Sequence, residues 1–242
     1  MKKYIYLLAT IYSFFTLTSC GTTSDDPSKI TYFVKLELLG EETMHVPLGS
    51  TFTDPGVTAF EGETNVTSSV VKKGTVNANK VGYYPITYSA KNVDGFSKSI
   101  ERTVFVYDPK MTTDLAGIYT VAAGTYRLNL TNGAKTPYSG FKVIISPYLP
   151  GIFYVSDFFG GYYDQRVNYG PDYAMTGYFA LYEDNTLELL YSSVRGWGDS
   201  LDDLDETEYD PETGSLSWAA TYVSSFTFYV TLTNNNDNKI LN

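Results

Sequence analysis

Hydrophobic and polar residues alternate in short runs along most of this chain. One run covers residues 80–90, and another, Arg-Thr-Val-Phe-Val-Tyr, covers residues 102–107. A period of two places successive side chains on opposite faces of a sheet, so these runs predict strands. No segment shows a convincing helical pattern. The periodicity therefore predicts an all-β protein.

Turn residues separate the strands of the first half. Residues 54–56, Asp-Pro-Gly, predict a turn between two strands within residues 50–59, because proline presets φ and glycine accepts positive φ. Residues 94–95, Asp-Gly, predict a hairpin after the run at 80–90. Several short strands within residues 30–108 predict a β-sandwich.

A second unit is predicted over residues 111–242. Asp-Pro-Lys at 108–110 disfavours helix and stiffens a short link before it. Eight candidate strands with short turns between them predict an antiparallel meander, either barrel-like or a two-sheet sandwich. The candidates lie near residues 117–122, 125–130, 140–146, 152–157, 174–182, 186–192, 215–222 and 226–232.

The motifs of the first unit resemble the bacterial surface immunoglobulin-like (Ig-like) domain. They are Phe-Thr-Asp-Pro-Gly-Val-Thr-Ala at 52–59, Gly-Tyr-Tyr-Pro-Ile-Thr-Tyr at 82–88 and Thr-Val-Phe-Val at 103–106. The resemblance implies an Ig-like β-sandwich that acts as a spacer on an exported protein. Gly-Ile-Tyr at 117–119 and residues 209–218 resemble uncharacterised C-terminal domains that follow such Ig-like domains in Bacteroidetes-type lipoproteins.

The beginning of the chain is organised as an export signal, predicted over residues 1–19. Lys2 and Lys3 precede an apolar run at residues 4–17, which is shorter than the roughly 20 residues of a membrane-spanning helix. Leu-Thr-Ser-Cys at 17–20 resembles a bacterial lipobox, which implies lipidation of Cys20 and anchoring in the outer membrane. The alternative is a plain secretory signal with an incidental cysteine.

The segment after the lipobox is predicted to be a flexible tether. Residues 20–29 are small and polar, and they hold too few apolar side chains to form a core. Ser-Asp-Asp at 24–26 resembles the acidic surface-export signal of Bacteroidetes-type lipoproteins. That resemblance implies a protein that faces the cell exterior.

Composition narrows the possible partners. The chain has 242 residues, 43% of them hydrophobic and 16% aromatic, with 23 tyrosines and a formal net charge of -10. This acidity argues against a nucleic-acid partner and against a polybasic contact with anionic lipid. Because Cys20 is the single cysteine, no disulfide within the chain can form.

The inventory of reactive side chains argues against catalysis. His45 is the single histidine, so Ser-His-Asp, Cys-His and zinc arrangements lack their usual members. We expect His45 to lie on a strand, at the surface or half buried. The acidic run at 199–210 is predicted to be a solvated loop, which favours neither a glycosidase pair nor a calcium site. We therefore expect no catalytic residues, no cofactor and no metal site.

Two aromatic, glycine-containing loops are the best candidates for ligand binding. They cover residues 158–173 and 194–199, and an antiparallel meander can bring both to one end. Rigid aromatic rings lose little entropy on binding and offer flat apolar faces to sugars. The alternative is that these tyrosines cover the core of a small barrel, while Trp218, in an alternating run, is predicted to be core. The candidate ligand-binding side chains are Tyr162, Tyr163, Asp164, Arg166, Tyr169 and Trp197.

These observations lead to a prediction of a non-catalytic cell-surface lipoprotein. It would bind a polysaccharide or oligosaccharide in nutrient capture, with the Ig-like unit as spacer. The alternative is a structural or adhesive subunit that binds protein partners within a surface complex.

Overall fold

The computed structural model describes residues 30–234. The predicted export signal at 1–19, Cys20 and the predicted tether at 20–29 lie outside the described residues. None of the helices within 30–234 is both long and apolar enough to cross a membrane.

The first unit is an Ig-like β-sandwich, as predicted. One sheet has the order β1-β3-β4 and the other the order β2-β7-β6-β5, with β2 parallel to β7. Its elements are β1 (Val34–Leu38), β2 (Thr43–Pro47), β3 (Val57–Glu61), β4 (Thr64–Asn65), a 3-10 helix (Thr67–Ser69), β5 (Val71–Lys73), β6 (Gly82–Lys91) and β7 (Ser97–Tyr107).

A buried arginine organises the centre of this sandwich. Arg102 is fully buried, and its guanidinium donates to the Asp54 carboxylate, to the Tyr88 hydroxyl at 3.1 Å and to the Glu41 carbonyl at 3.0 Å. Burial disfavours the charged form of Asp54, but hydrogen bonds from Lys72 and Tyr88 outweigh this effect and lower its pKa to about 2. The carboxylate is therefore ionised at neutral pH and compensates the buried guanidinium.

This network corrects one predicted strand. Residues 51–56 contain no strand, whereas β3 follows directly at Val57. Asp54 turns into the core, and its carboxylate accepts the Gly56 N–H at 3.0 Å. The backbone before β3 is thus fixed by side-chain hydrogen bonds and not by backbone hydrogen bonds to a neighbouring strand.

The second unit contains all eight predicted strands. It also contains two strands that were not predicted, β10 and β15, and single helical turns at Tyr162–Arg166 and Pro171–Tyr173. Its strands are β8 (Gly117–Val121), β9 (Tyr126–Asn129), β10 (Lys135–Pro137), β11 (Lys142–Leu149), β12 (Ile152–Val155), β13 (Met175–Leu181), β14 (Leu187–Val194), β15 (Asp203–Asp210), β16 (Ser215–Tyr222) and β17 (Phe226–Asn234).

The predicted meander is confirmed in its barrel-like form. Eight antiparallel strands follow the order β15-β16-β17-β8-β11-β12-β13-β14, and the β9-β10 hairpin pairs with the first part of β17. The two ends of this curled sheet approach each other. The Thr207 hydroxyl on β15 bonds both backbone groups of Leu187 on β14, at 3.0 and 2.8 Å. Side chains thus link two edges that no continuous ladder joins.

The acidic run was wrongly predicted to be a loop. Residues 203–210 form strand β15, with Leu204 buried and a bulge between Asp205 and Glu208. This segment contains only a few apolar residues among its acidic ones, so it lacks the alternation of apolar and polar residues that predicts a strand. Acidic side chains on an edge strand discourage pairing with another chain.

The core of the second unit is rich in aromatic side chains, and the prediction that Trp218 belongs to it is confirmed. Trp218 is 2% exposed, and its indole N–H donates to the Phe158 carbonyl at 2.8 Å. Phe159 and Phe228 pack with ring centroids 4.4 Å apart. The strand carrying Trp218 is therefore tied to the loop that follows β12.

A group of aromatic side chains at the junction joins the two units. Phe105 on β7 is buried and packs against Tyr148 on β11 and Tyr178 on β13, with ring centroids 4.9 and 5.3 Å apart. His45 lies exposed on β2, as predicted, and its Nε2 lies 3.1 Å from the Tyr148 hydroxyl oxygen. The Ig-like unit therefore packs directly against the second unit.

Candidate functional site

The two predicted aromatic loops lie side by side. The first connects β12 to β13, and the second connects β14 to β15. The Gly196 N–H donates to the Asp172 carbonyl at 2.7 Å, and the Arg195 guanidinium lies 3.6 Å from the Asp172 carboxylate. The sheet order places β13 between β12 and β14, which brings both loops to one end of the curled sheet.

Asp157 fixes the base of the first loop. One carboxylate oxygen accepts the N–H groups of Phe159 and Met175, each at 2.9 Å, and the other accepts the Gly161 N–H at 2.8 Å. Burial raises the pKa of Asp157 to about 7, and it outweighs the opposing effect of the three backbone donors. The loop thus depends on a carboxyl group with no exposure to solvent.

Close packing around Phe159 and Gly161 fixes the backbone that leads into Tyr162–Arg166. The Tyr138 hydroxyl donates to the Phe159 carbonyl at 2.7 Å. Gly161 has a φ of 78°, and a Cβ atom there would lie 2.7 Å from Cβ of Phe141. Only glycine fits both conditions. The single π-helical turn at Tyr162–Arg166 follows immediately.

Four aromatic side chains from the two loops converge at the surface. Trp197 lies with its ring centroid 4.9 Å from that of Tyr163 and 4.9 Å from that of Tyr173. Tyr169 stacks on Tyr163 at 6.2 Å with an interplanar angle of 15°. We call Tyr163, Tyr169, Tyr173 and Trp197 the aromatic cluster.

Strand β16 supports the inner face of Trp197. Tyr222 on β16 is buried and stacks on the indole at 6.0 Å with an interplanar angle of 25°. The Tyr222 hydroxyl donates to the Asp199 carboxylate at 2.8 Å. Burial raises the pKa of Tyr222, and Asp199 raises it further. This phenol therefore stays protonated and keeps its donor role.

An open hollow of about 540 Å³ lies beside the aromatic cluster. It is lined by Asn168, Tyr169, Tyr173 and Trp197. Tyr169 is 54% exposed and Trp197 39% exposed, so both rings remain accessible. Asn168 has a φ of 65° and is exposed, which places an amide at the rim of the hollow.

The predicted ligand residues divide into two groups. Tyr163, Tyr169 and Trp197 come together in the aromatic cluster, and Tyr169 and Trp197 also line the hollow. Tyr162 is 4% exposed and packs in the core, so its ring is not available at the surface. Arg166 is exposed with its guanidinium 5.0 Å from the centre of the Tyr162 ring, and Asp164 is half buried.

Two lining residues were not among the candidates. Tyr173 and Asn168 belong to the same predicted loop, but the sequence does not reveal which of its side chains face the second loop. The residue in the sequence that best indicates the contact between the two loops is Gly196. A Cβ atom at this position would lie 2.7 Å from the Tyr173 ring, so glycine here lets the two loops meet.

The Arg127 side chain lies beneath the aromatic cluster. The Arg127 guanidinium lies 4.7 Å from the centre of the Tyr162 ring and 4.5 Å from that of Phe226. Burial raises the pKa of Tyr163, and a hydrogen bond from Arg127 partly opposes this rise. Arg127 therefore supports Tyr163 from the core side.

The side chains at this site are aromatic, amide and charged groups. Within residues 30–234, no three His, Cys, Asp or Glu side chains lie close enough together to hold a metal ion.

Comparison with known proteins places the chain in a family. Residues 36–106 match the bacterial surface protein Ig-like domain, and residues 108–234 match a family described as a C-terminal domain. The lipoprotein BT2262 from Bacteroides thetaiotaomicron is 44% identical, and the match covers 84% of this chain and 100% of BT2262, with a TM-score of 0.48. This chain belongs to the family of lipoprotein BT2262.

Two further solved structures match more weakly, and both come from ZmpB of Clostridium perfringens. The M60 catalytic domain with the CBM51-1 and CBM51-2 domains is 16% identical, with 50% of this chain and 14% of that chain covered and a TM-score of 0.26. The structure of CBM51-2 in complex with GlcNAc and INT domains is 13% identical, with 86% and 45% covered and a TM-score of 0.27. These likenesses carry no functional argument. No curated protein matches the sequence.

Proposed function

We propose that this protein is a non-catalytic, lipid-anchored protein of the bacterial cell surface, and that the aromatic cluster binds a polysaccharide or oligosaccharide for nutrient capture. The observation that carries the proposal is the convergence of four aromatic rings from two loops, three of which, those of Tyr169, Tyr173 and Trp197, line an open hollow. Exposed aromatic patches on soluble domains are more often functional than incidental.

The chemistry of the cluster suits a sugar. Tyrosine and tryptophan rings offer apolar faces to sugar C–H groups, while their polar atoms remain able to bond hydroxyls. The Asn168 amide lines the hollow, and Arg166, two residues earlier in the chain, is exposed and carries further donors. Because the rings already pack against one another, little side-chain freedom is lost when a ligand binds.

The family supports the proposed location. The relative BT2262 is a lipoprotein, and the first unit matches an Ig-like domain of bacterial surface proteins. Lipidation of Cys20 would attach the chain at one end, and the Ig-like unit would act as the spacer. The contacts around Phe105 make this spacer a packed support for the second unit.

Binding of the purified protein to a panel of diverse polysaccharides and oligosaccharides tests the function. We expect at least one glycan to bind, and both Trp197→Ala and Tyr169→Ala to weaken that binding. Tyr126→Ala is the matched control, because Tyr126 belongs to a stacked tyrosine pair with Tyr229, outside the two loops.

The test also separates the rival function. Absence of binding across the panel, or equal binding by wild type and both cluster variants, would contradict the proposal. Capture of a protein partner that is lost in the same two variants would instead support the adhesive alternative.

A further inference from the structure

The end of the Ig-like unit where the described chain begins carries an unusual group of exposed apolar side chains. Val93 is 82% exposed and Phe33 is 56% exposed. They come from two segments, the approach to β1 and the β6–β7 turn. We call Ile30, Tyr32, Phe33, Val93 and Phe96 the apolar end.

Folded structure holds these side chains together. The buried Asn92 amide donates to the Tyr32 carbonyl at 2.8 Å, and its oxygen accepts the Phe96 N–H at 2.7 Å. The Phe33 and Phe96 rings lie 5.4 Å apart. The Glu61 carboxylate accepts the Val93 N–H at 3.2 Å. The apolar end is therefore built by a hydrogen-bonded turn.

Its position relates it to the proposed anchor. Ile30 follows Cys20 by ten residues, and such a length of chain reaches at most about 35 Å. From the apolar end, the 11 residues of β7 run to Tyr107, a distance of about 35 Å in a strand. Tyr107 packs in the junction with the second unit. The apolar end thus adjoins the predicted tether in sequence and lies at the opposite end of β7 from that junction.

We propose that the apolar end inserts into the interface of the lipid bilayer that holds the acylated chain. This inference rests on the lipid anchoring in the proposed function. Aromatic and aliphatic side chains favour the boundary between headgroups and acyl chains, where the tyrosine hydroxyl remains hydrated. The chain's net charge of -10 means that apolar contact, and not general attraction to anionic lipid, drives this insertion.

Two lysines fit the same orientation. Lys91 and Lys98 are exposed and lie near the β6–β7 turn. Their long side chains can extend along the surface and place ammonium groups at the level of the lipid phosphates. Anchor and apolar end together would hold the Ig-like unit upright and direct the junction, and the second unit beyond it, away from the bilayer.

A fluorescent label reports the insertion directly. The full-length acylated protein is reconstituted in vesicles of phosphatidylethanolamine and phosphatidylglycerol that contain nitroxide-labelled lipid. Acylation of Cys20 leaves no other thiol, so Val93→Cys supplies a unique labelling site. Val223→Cys, which is exposed at the β16–β17 turn of the second unit, is the matched control. We expect the lipid quencher to quench the label at position 93 several-fold more strongly than the label at 223.

A second change tests the role of the two rings. Phe33→Ser combined with Phe96→Ser, in the Val93→Cys background, should reduce the quenching several-fold while vesicle flotation and the melting temperature stay near wild type. Both rings are more than half exposed, so the fold does not depend strongly on them.

The outcomes are distinguishable. If the protein floats with the vesicles but position 93 is quenched no more than 223, the insertion is wrong and the anchor stands. If the protein does not float with the vesicles, the proposed anchoring fails, and the insertion that rests on it fails too. Unchanged quenching in the double serine variant also overturns the role of the apolar end.

Discussion

Trp197 lies edge-on to Tyr163, with ring centroids 4.9 Å apart and an interplanar angle of 88°. Tyr163 also packs on the core ring of Phe228 at 5.8 Å. The pair therefore links an exposed ring to the hydrophobic core. Because core packing and the Gly196 backbone bond fix the pair, the shape of the hollow beside it is set by the folded protein itself.

The first prediction concerns the exposed tyrosine of the cluster. Tyr169→Ala should weaken glycan binding about tenfold, or ~1.4 kcal/mol, because it removes one accessible ring from the hollow. The melting temperature should stay near wild type, since Tyr169 is an exposed loop residue. Titration calorimetry and thermal unfolding measure the two effects separately. A large loss of stability with unchanged affinity would show that the ring is structural.

The second prediction concerns Asp157 and pH. Its pKa rises from 3.8 to about 7 in the folded protein, so the protonated carboxyl favours folding. This contribution is complete below about pH 3.8 and is lost as the pH rises through about 7. The free energy of unfolding of the second unit should therefore fall between about pH 4 and pH 7. Urea unfolding followed by tryptophan fluorescence measures it, because Trp197 and Trp218 both lie in this unit.

Asp157→Asn supplies the control for that titration. The variant should lose the extra pH dependence of wild type, and at pH 5 it should be less stable by about 1–3 kcal/mol, because an amide cannot accept all three backbone N–H groups. His45 is unchanged in the variant, so the difference between the two proteins isolates Asp157. An identical pH profile in both proteins would exclude this role.

The third prediction concerns the buried ion pair of the Ig-like unit. Asp54→Asn should cost ~3 kcal/mol at pH 7, because it leaves the buried Arg102 guanidinium without its carboxylate. The folded pKa of Asp54 is lowered from 3.8 to about 2, so wild type loses the same contribution as the pH falls from about 4 towards 2. The stability gap between wild type and variant should therefore narrow over that interval. Urea unfolding followed by circular dichroism provides the measurement, and a constant gap would contradict the assignment.

The fourth prediction concerns the junction between the two units. Phe105→Ala removes the ring at the centre of the aromatic contacts between the two units and should cost about 3–5 kcal/mol. The two units should then unfold in separate transitions, whereas we expect them to unfold together in wild type. Differential scanning calorimetry detects the separation. Phe60→Ala is the control because Phe60 is partly exposed on β3; equal effects of both substitutions would exclude a special role for Phe105.

Local sequence patterns were sufficient to predict most strands, because the alternation of apolar and polar residues and the preferences of turn residues depend only on a few neighbouring positions. They predicted the strand at Gly82–Lys91, the hairpin at 94–95 and the core position of Trp218. They failed where side chains from distant segments determine the backbone. Asp54 is held by Arg102 from β7 instead of a neighbouring strand, and Thr207 on β15 bonds the backbone of Leu187 on β14.

By itself, the sequence determined an all-β protein and the loops rich in aromatic residues, because these depend on composition, periodicity and turn residues. The Ig-like nature of the first unit was implied by the resemblance of its motifs to a known domain. The tertiary structure decided that Tyr162 points into the core while Tyr169 stays exposed, and that Tyr173 joins Trp197. Neighbouring tyrosines in one loop have the same chemistry. Which of them meets solvent depends on the curvature of the sheet and on what the second loop covers, and neither can be derived from local sequence.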